Sequence, residues 1–203
     1  MPKLRRKIRI ALLACLVVIS PVLAFAGYEI ATGNVREVEP GVFFRSGQLD
    51  GAGIEQMIQR HNIMTILNLR GAHPEDRWFA AESSVAQGYG VKYISIPLSP
   101  NEEPSVDRMN QIAATLQKAN GPILVHCNSG ANRTGLVSAI YELAVQGKTP
   151  SEASGQLSIL YGHFPWLGSR TAAMDRAFER FAAQWDPNTD RAVAQNPVAT
   201  AAQ

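Results

Sequence analysis

Apolar positions along the chain change their spacing several times, and each change marks an element. Ile10 to Ala26 is apolar almost without a break, interrupted only at Ser20 and Pro21. Val42, Phe43 and Phe44 form a compact apolar run that predicts a first strand. After Asp50, which suits a helix N-cap, Ile54, Met57, Ile58 and His61 recur at helical spacing. Ile63 to Leu69 predicts a second strand. Pro74 then opens a helix whose positive end is matched by Glu75 and Asp76. One face of that helix carries Trp78, Ala81, Glu82, Val85 and Ala86, which places Trp78 in the core. Val91 to Leu98 alternates as a third strand, and Ser105 caps a helix bearing Val106, Met109, Ile112, Ala113 and Leu116.

Gly121 and Pro122 precede Ile123, Leu124 and Val125, a run that reads as a short buried strand. A stretch of small residues follows, and a helical pattern starts at Arg133. Leu136 to Val145 is apolar nearly all round, the mark of a buried helix. Thr149, Pro150, Ser151 and Glu152 form a capping box with Pro at the first helical position. The helix it starts carries Leu157, Ile159 and Leu160. A last helix from about Ser169 turns Met174, Ala177, Phe178, Phe181 and Trp185 inward. From Asp186 the period is lost, which predicts a disordered tail.

Strand and helix patterns alternate and then helices follow one another. This predicts an α/β fold with a central, largely parallel sheet flanked by helices on both faces. Ligands in such sheets sit at the C-terminal ends of the strands. The divisions expected are residues 1–27 as a signal peptide or membrane anchor, 28–39 as a connector, 40–185 as the domain and 186–203 as the tail.

Charge sharpens the reading of the first segment. Lys3, Arg5, Arg6, Lys7 and Arg9 lie together with no acid among them, and the rest of the chain holds 14 basic against 17 acidic residues. The net charge of +2 therefore comes from the N-terminus, and nothing supports nucleic-acid binding. A basic cluster before an apolar core predicts an export segment. Either Ala24-Phe25-Ala26 is cleaved, releasing the domain, or the run stays as a single anchor. Both outcomes place the domain on the periplasmic or extracytoplasmic side.

The candidate chemistry lies at 121–135. Cys127 has no disulfide partner in the domain and no metal-ligand spacing around it. Small residues at Ser129, Gly130 and Ala131 allow a tight loop whose successive amides wrap an anion, helped by the N-terminus of the helix that follows. Arg133 offers a planar fork for two phosphate oxygens. The same positive field favours the thiolate of Cys127, the nucleophilic form. No metal or cofactor is called for.

His126-Cys127, followed by Arg133, Thr134 and Gly135, resembles the signature loop of the cysteine-dependent protein tyrosine phosphatase superfamily. The wording VHCNSGANRTG is closest to its dual-specificity-like, bacterial-type branch. Phe43 to Gln48, FFRSGQ, resembles a stretch that lies beside the active-site loop in that branch. The resemblance implies a four- or five-stranded sheet flanked by helices. It also implies phosphomonoester hydrolysis through a cysteinyl-phosphate, without metal. Phosphate would be bound by the amides of Asn128, Ser129, Gly130, Ala131, Asn132 and Arg133. Thr134 would donate to the sulfur, while His126, Arg70, Arg45 and Gln48 support the site. Arg70 is expected to pair with a carboxylate such as Glu82.

One part departs from the family pattern. The loop at 99–104 has no Asp to protonate the leaving group, so Glu102 and Glu103 are the candidate general acids. The uncharged positions of the phosphate loop favour phosphotyrosine or another phosphomonoester on a protein or small molecule. A phosphoinositide phosphatase, a catalytically weak module that captures phosphorylated groups, and a sulfurtransferase are the alternatives.

Overall fold

The computed structural model describes residues 31–166 and 169–186, together with 13, 16–17, 19–21, 23–25 and 27–29. The chain divides into two units, 1–32 and 33–203. In the first, every described residue from 13 to 31 is helical. Among the described residues no helix is long and apolar enough to cross a membrane. Much of the predicted export segment, and the predicted tail from 187, lie outside the described residues.

The second unit is built on a five-stranded sheet in the order β1-β2-β5-β3-β4. The strands are β1 (Arg36–Glu39), β2 (Phe43–Ser46), β3 (Thr65–Asn68), β4 (Lys92–Ser95) and β5 (Ile123–His126). β2, β5, β3 and β4 run parallel, and β1 joins β2 antiparallel with a bulge between Glu37 and Glu39. The largely parallel sheet expected from the sequence is thus present. β1, however, falls in the segment read as a connector. Its residues are mostly charged and half-exposed, as an edge strand tolerates, so no apolar alternation announced it. Glu39 bonds the Tyr141 hydroxyl, whose ring stacks on Phe43 at 4.0 Å.

Alternate residues of the strands feed two cores. Phe43, Leu67, Ile123 and Val125 face helices α3 (Val106–Gln117), α4 (Asn132–Ala144) and α6 (Ala172–Gln184). Phe44, Ile66 and Leu124 face α1 (Gly51–His61), through Ile54, Met57 and Ile58, and α2 (Arg77–Gly88), through Ala86. Leu124 is completely buried, and trimming it to Ala would cost about 2–5 kcal/mol.

Helix boundaries follow the caps. Asp50 accepts from the Gly53 amide at 2.8 Å and Ser105 from the Arg108 amide at 3.2 Å. The Thr149–Glu152 capping box forms, but α5 (Pro150–Ala153) lasts only one turn before the chain tightens into 3-10 geometry. Ile159 and Leu160, expected on this helix, lie instead in a later 3-10 turn and are 46% and 68% exposed. α2 begins at Arg77 rather than at Pro74, with Asp76 as N-cap. Trp78 is half-buried rather than in the core, because its indole donates to Asp76 and its face carries the Arg70 guanidinium.

Candidate active site

Parallel pairing sets three strand ends side by side. His126, the last residue of β5, is level with Ser46 of β2 and Asn68 of β3. The chain beyond each, Gly47-Gln48, Cys127 onward and Leu69-Arg70, converges at the C-terminal edge.

The loop after β5 owes its shape to partners on its outside. The Asn128 carbonyl accepts from the Gln48 amide at 3.0 Å, and the Ser129 carbonyl from the Asn34 side chain at 3.0 Å. Arg45 Nη2 donates to the Gly130 carbonyl at 2.8 Å and to the Ala131 carbonyl at 3.3 Å. With four successive carbonyls held outward, the intervening amides are free to turn inward. Gly130 makes the path possible: its φ is +74°, and a Cβ there would lie 2.6 Å from the Gly47 nitrogen.

Cys127 sits at the floor of this loop, 2% exposed. Burial pushes its thiol up. The Arg133 charge, the Thr134 hydroxyl and the Thr134 and Gly130 amides pull it down, and the balance lies below the ordinary thiol value. Of these two amides, that of Gly130 belongs to the loop and that of Thr134 to the first turn of α4. Arg133, in the first turn of α4, is anchored by Nη1 to the Leu69 and Leu98 carbonyls at 3.3 and 3.2 Å. Those carbonyls stand beyond the ends of β3 and β4, and they hold the guanidinium at the mouth.

Arg45 lies behind the loop rather than facing a substrate. It is fully buried, Nη1 binds the Gln156 side chain and carbonyl, and the guanidinium carbon lies 4.0 Å from the Tyr161 ring centre. Burial pushes its pKa down to about 10, so it stays protonated at neutral pH. Gln156 passes the contact on to buried Glu142, which also binds Lys148.

A second buried array supports the other side. Glu82 Oε1 lies 2.6 Å from His126 Nε2, close enough for an ion pair though not aligned as a hydrogen bond. Gln48 donates to Glu82 at 3.0 Å and accepts from Arg70 at 2.9 Å. Arg70 thus reaches Glu82 through Gln48, where a direct pair was expected. Its guanidinium lies 3.7 Å from the Trp78 ring centre, and burial and Arg133 together push its pKa down.

The 99–104 loop divides its two candidates. Glu103 is tied to Arg176 and Arg180 of α6, and the Arg176 bond holds its carboxyl below the usual range. A group kept ionised is poorly suited to donate a proton, which counts against Glu103 as the acid. Glu102 is exposed and has no such tie; both glutamates line, with Leu98, Pro104 and Arg108, a pocket of about 150 Å³ that includes neither Cys127 nor Arg133. Two residues had no signal in the sequence. Asn34 lies in a segment without period, and His163, a lone histidine in no motif, is fully buried and bonded to the Asn132 side chain. Among the described residues no group of three or more His, Cys, Asp or Glu is placed to hold a metal ion.

A family model described as DSP-PTPase phosphatase fused to NAD+ kinase matches residues 21–174, well over half of the chain. The chain belongs to this family. It is a member of the cysteine-dependent phosphatase superfamily, in the bacterial dual-specificity-like branch. The dual specificity protein phosphatase TpbA of Pseudomonas aeruginosa is 28% identical over 116 residues, 56% of this chain and 48% of that protein. The chain thus spans about half the length of the curated relatives it matches. The TpbA crystal structure has a TM-score of 0.58 at 22% identity, over 80% of this chain and 91% of the other. The catalytic core of the PP-IP phosphatase SIW14 from S. cerevisiae gives 0.58 at 20% identity, over 81% and 93%. At these identities the structural likeness shows the DSP-PTPase fold.

Proposed function

We propose that the domain hydrolyses phosphomonoesters through a cysteinyl-phosphate. The observation that carries this reading is a loop whose carbonyls at 128–131 are bound from behind, around a buried sulfur whose pKa Arg133, Thr134 and the Gly130 amide pull down. Cys127 attacks phosphorus in line, and the P–O bond to the alcohol or phenol breaks. Loop amides and Arg133 hold the equatorial oxygens as charge shifts. Glu102 protonates the leaving oxygen, while Glu103 anchors the loop that carries it. Water then attacks the phosphorus, and the sulfur leaves as a thiolate stabilised by Thr134. His126, Arg45, Gln48 and Arg70 keep the loop in shape.

Phosphotyrosine or a similar phosphomonoester on a protein or small molecule is the proposed substrate, since Asn128, Ser129, Ala131 and Asn132 add no charge around the anion. The matching export proposal is that residues 1–27 direct the domain to the extracytoplasmic side, as a cleaved signal or a retained membrane anchor. It is supported by the basic cluster and the apolar run after it. A second reading, a module that binds phosphorylated groups without turning them over, is favoured by the engagement of Glu103 and the exposure of Glu102. Turnover of phosphotyrosine and para-nitrophenyl phosphate by the full chain and by Cys127→Ser separates the two. Turnover lost in the variant supports the enzyme. Turnover retained in it contradicts the mechanism, and binding without turnover in the native chain supports the module.

A further inference from the structure

His163 is a fully buried histidine that the proposed chemistry does not use. It follows the 3-10 turn Ile159–Tyr161 and Gly162, whose φ of +77° turns the chain toward the phosphate loop. Its Nδ1 lies 2.8 Å from Asn132 Oδ1 and its Nε2 2.8 Å from Asp175 Oδ2. Asn132 is the first residue of α4 and the neighbour of Arg133, and Asp175 lies in the first turn of α6. The ring is thus held at both nitrogens, by a side-chain amide from α4 and a carboxylate from α6.

We propose that His163 is a positioning residue for the phosphate loop: bridging Asp175 and Asn132, it fixes the start of α4 and so the aim of Arg133. The inference rests on the phosphatase reading of the site. Asp175 is the charged group that faces the ring from α6. From α4 the contact is the neutral Asn132 amide, and on the ring's own turn Tyr161 stacks on Arg45 instead. A small error in the direction of Arg133 is costly, because misplacement on the order of 1 Å can lower turnover about 100-fold.

The test uses the full chain, para-nitrophenyl phosphate as substrate and vanadate as competitive probe. Native turnover establishes the phosphatase reading whatever His163 does. His163→Leu, which keeps bulk and loses both bonds, is expected to lower kcat/KM and raise the vanadate Ki, each about 10-fold. His163→Gln, which can keep the bond to Asn132, should recover part of that loss. Asp175→Asn, altered at the partly exposed end of the array, should show a smaller change in the same direction. A folded His163→Leu variant with native kcat/KM and Ki overturns the proposal, and so does a His163→Gln variant that recovers nothing, because the effect is then one of packing.

Discussion

Two loops meet at this site and they are built in opposite ways. The proposed phosphate loop, 127–133, is gripped from behind by Gln48, Asn34 and Arg45, and its cysteine is buried. The 99–104 loop is exposed and is held by Glu103 against Arg176 and Arg180, a surface array. Binding an anion needs donors fixed in advance, because reorienting them during reaction would cost what they contribute. Delivering a proton needs only a carboxyl within reach, so its loop tolerates variation in residue and position. The difference is consistent with a loop that matches the family pattern residue by residue beside a proposed acid that departs from the usual Asp.

Breaking the phosphate loop should have the largest effects. Arg133→Met is expected to lower kcat/KM on phosphotyrosine by about 1000-fold or more, as loss of a principal transition-state donor does. A drop under tenfold in steady-state kinetics would remove Arg133 from the chemistry. Next comes Arg45→Met, which touches no substrate. It leaves the Gly130 and Gln156 carbonyls without the Arg45 donor, and Ala131 with the Gly135 amide alone, for about 3 kcal/mol of stability, seen in urea unfolding, together with a large loss of turnover. Full activity in a folded Arg45→Met would show that the loop does not need its rear support.

The 99–104 loop should respond more selectively. Glu102→Gln is expected to slow alkyl phosphates about 100-fold and para-nitrophenyl phosphate far less, because a good leaving group does not need the proton. Equal losses on both would take Glu102 out of that role. Glu103→Gln should have the smallest effect, a few-fold on alkyl phosphates. Raising salt should weaken the native chain toward the variant, since exposed ion pairs are screened. A salt-independent difference would mean that the array is not what holds the loop.

The same contrast governs what could be read from residues in order. Cys127, Gly130, Arg133 and Thr134 lie within eight positions, and strand, small residues and helix are each visible as local patterns. The parallel sheet was legible for the same reason: Ile66, Leu124 and their neighbours carry the period. The rear supports were not, because Asn34 reaches the loop, and Gln156 reaches the Arg45 behind it, from far along the chain, and neither belongs to an apolar pattern. FFRSGQ pointed to Arg45 only by resemblance, and its role behind the loop needed coordinates. His163 and the exposed Ile159 and Leu160 lie where α5 gives way to 3-10 turns, a change that propensity does not signal. Glu103 looked like an acid until α6 placed two arginines opposite it.

The central claim is that Cys127 is held as a thiolate inside a cup shaped for phosphate. Its direct test is the rate of Cys127 alkylation by iodoacetamide against pH, with and without inorganic phosphate and with Cys127→Ser as the blank. Since the folded-state pKa is lowered, the thiolate is present above that pKa and lost as pH falls through it. The expected result is a midpoint below the ordinary thiol value and protection by phosphate. A midpoint at or above that value, with no protection, would contradict the account.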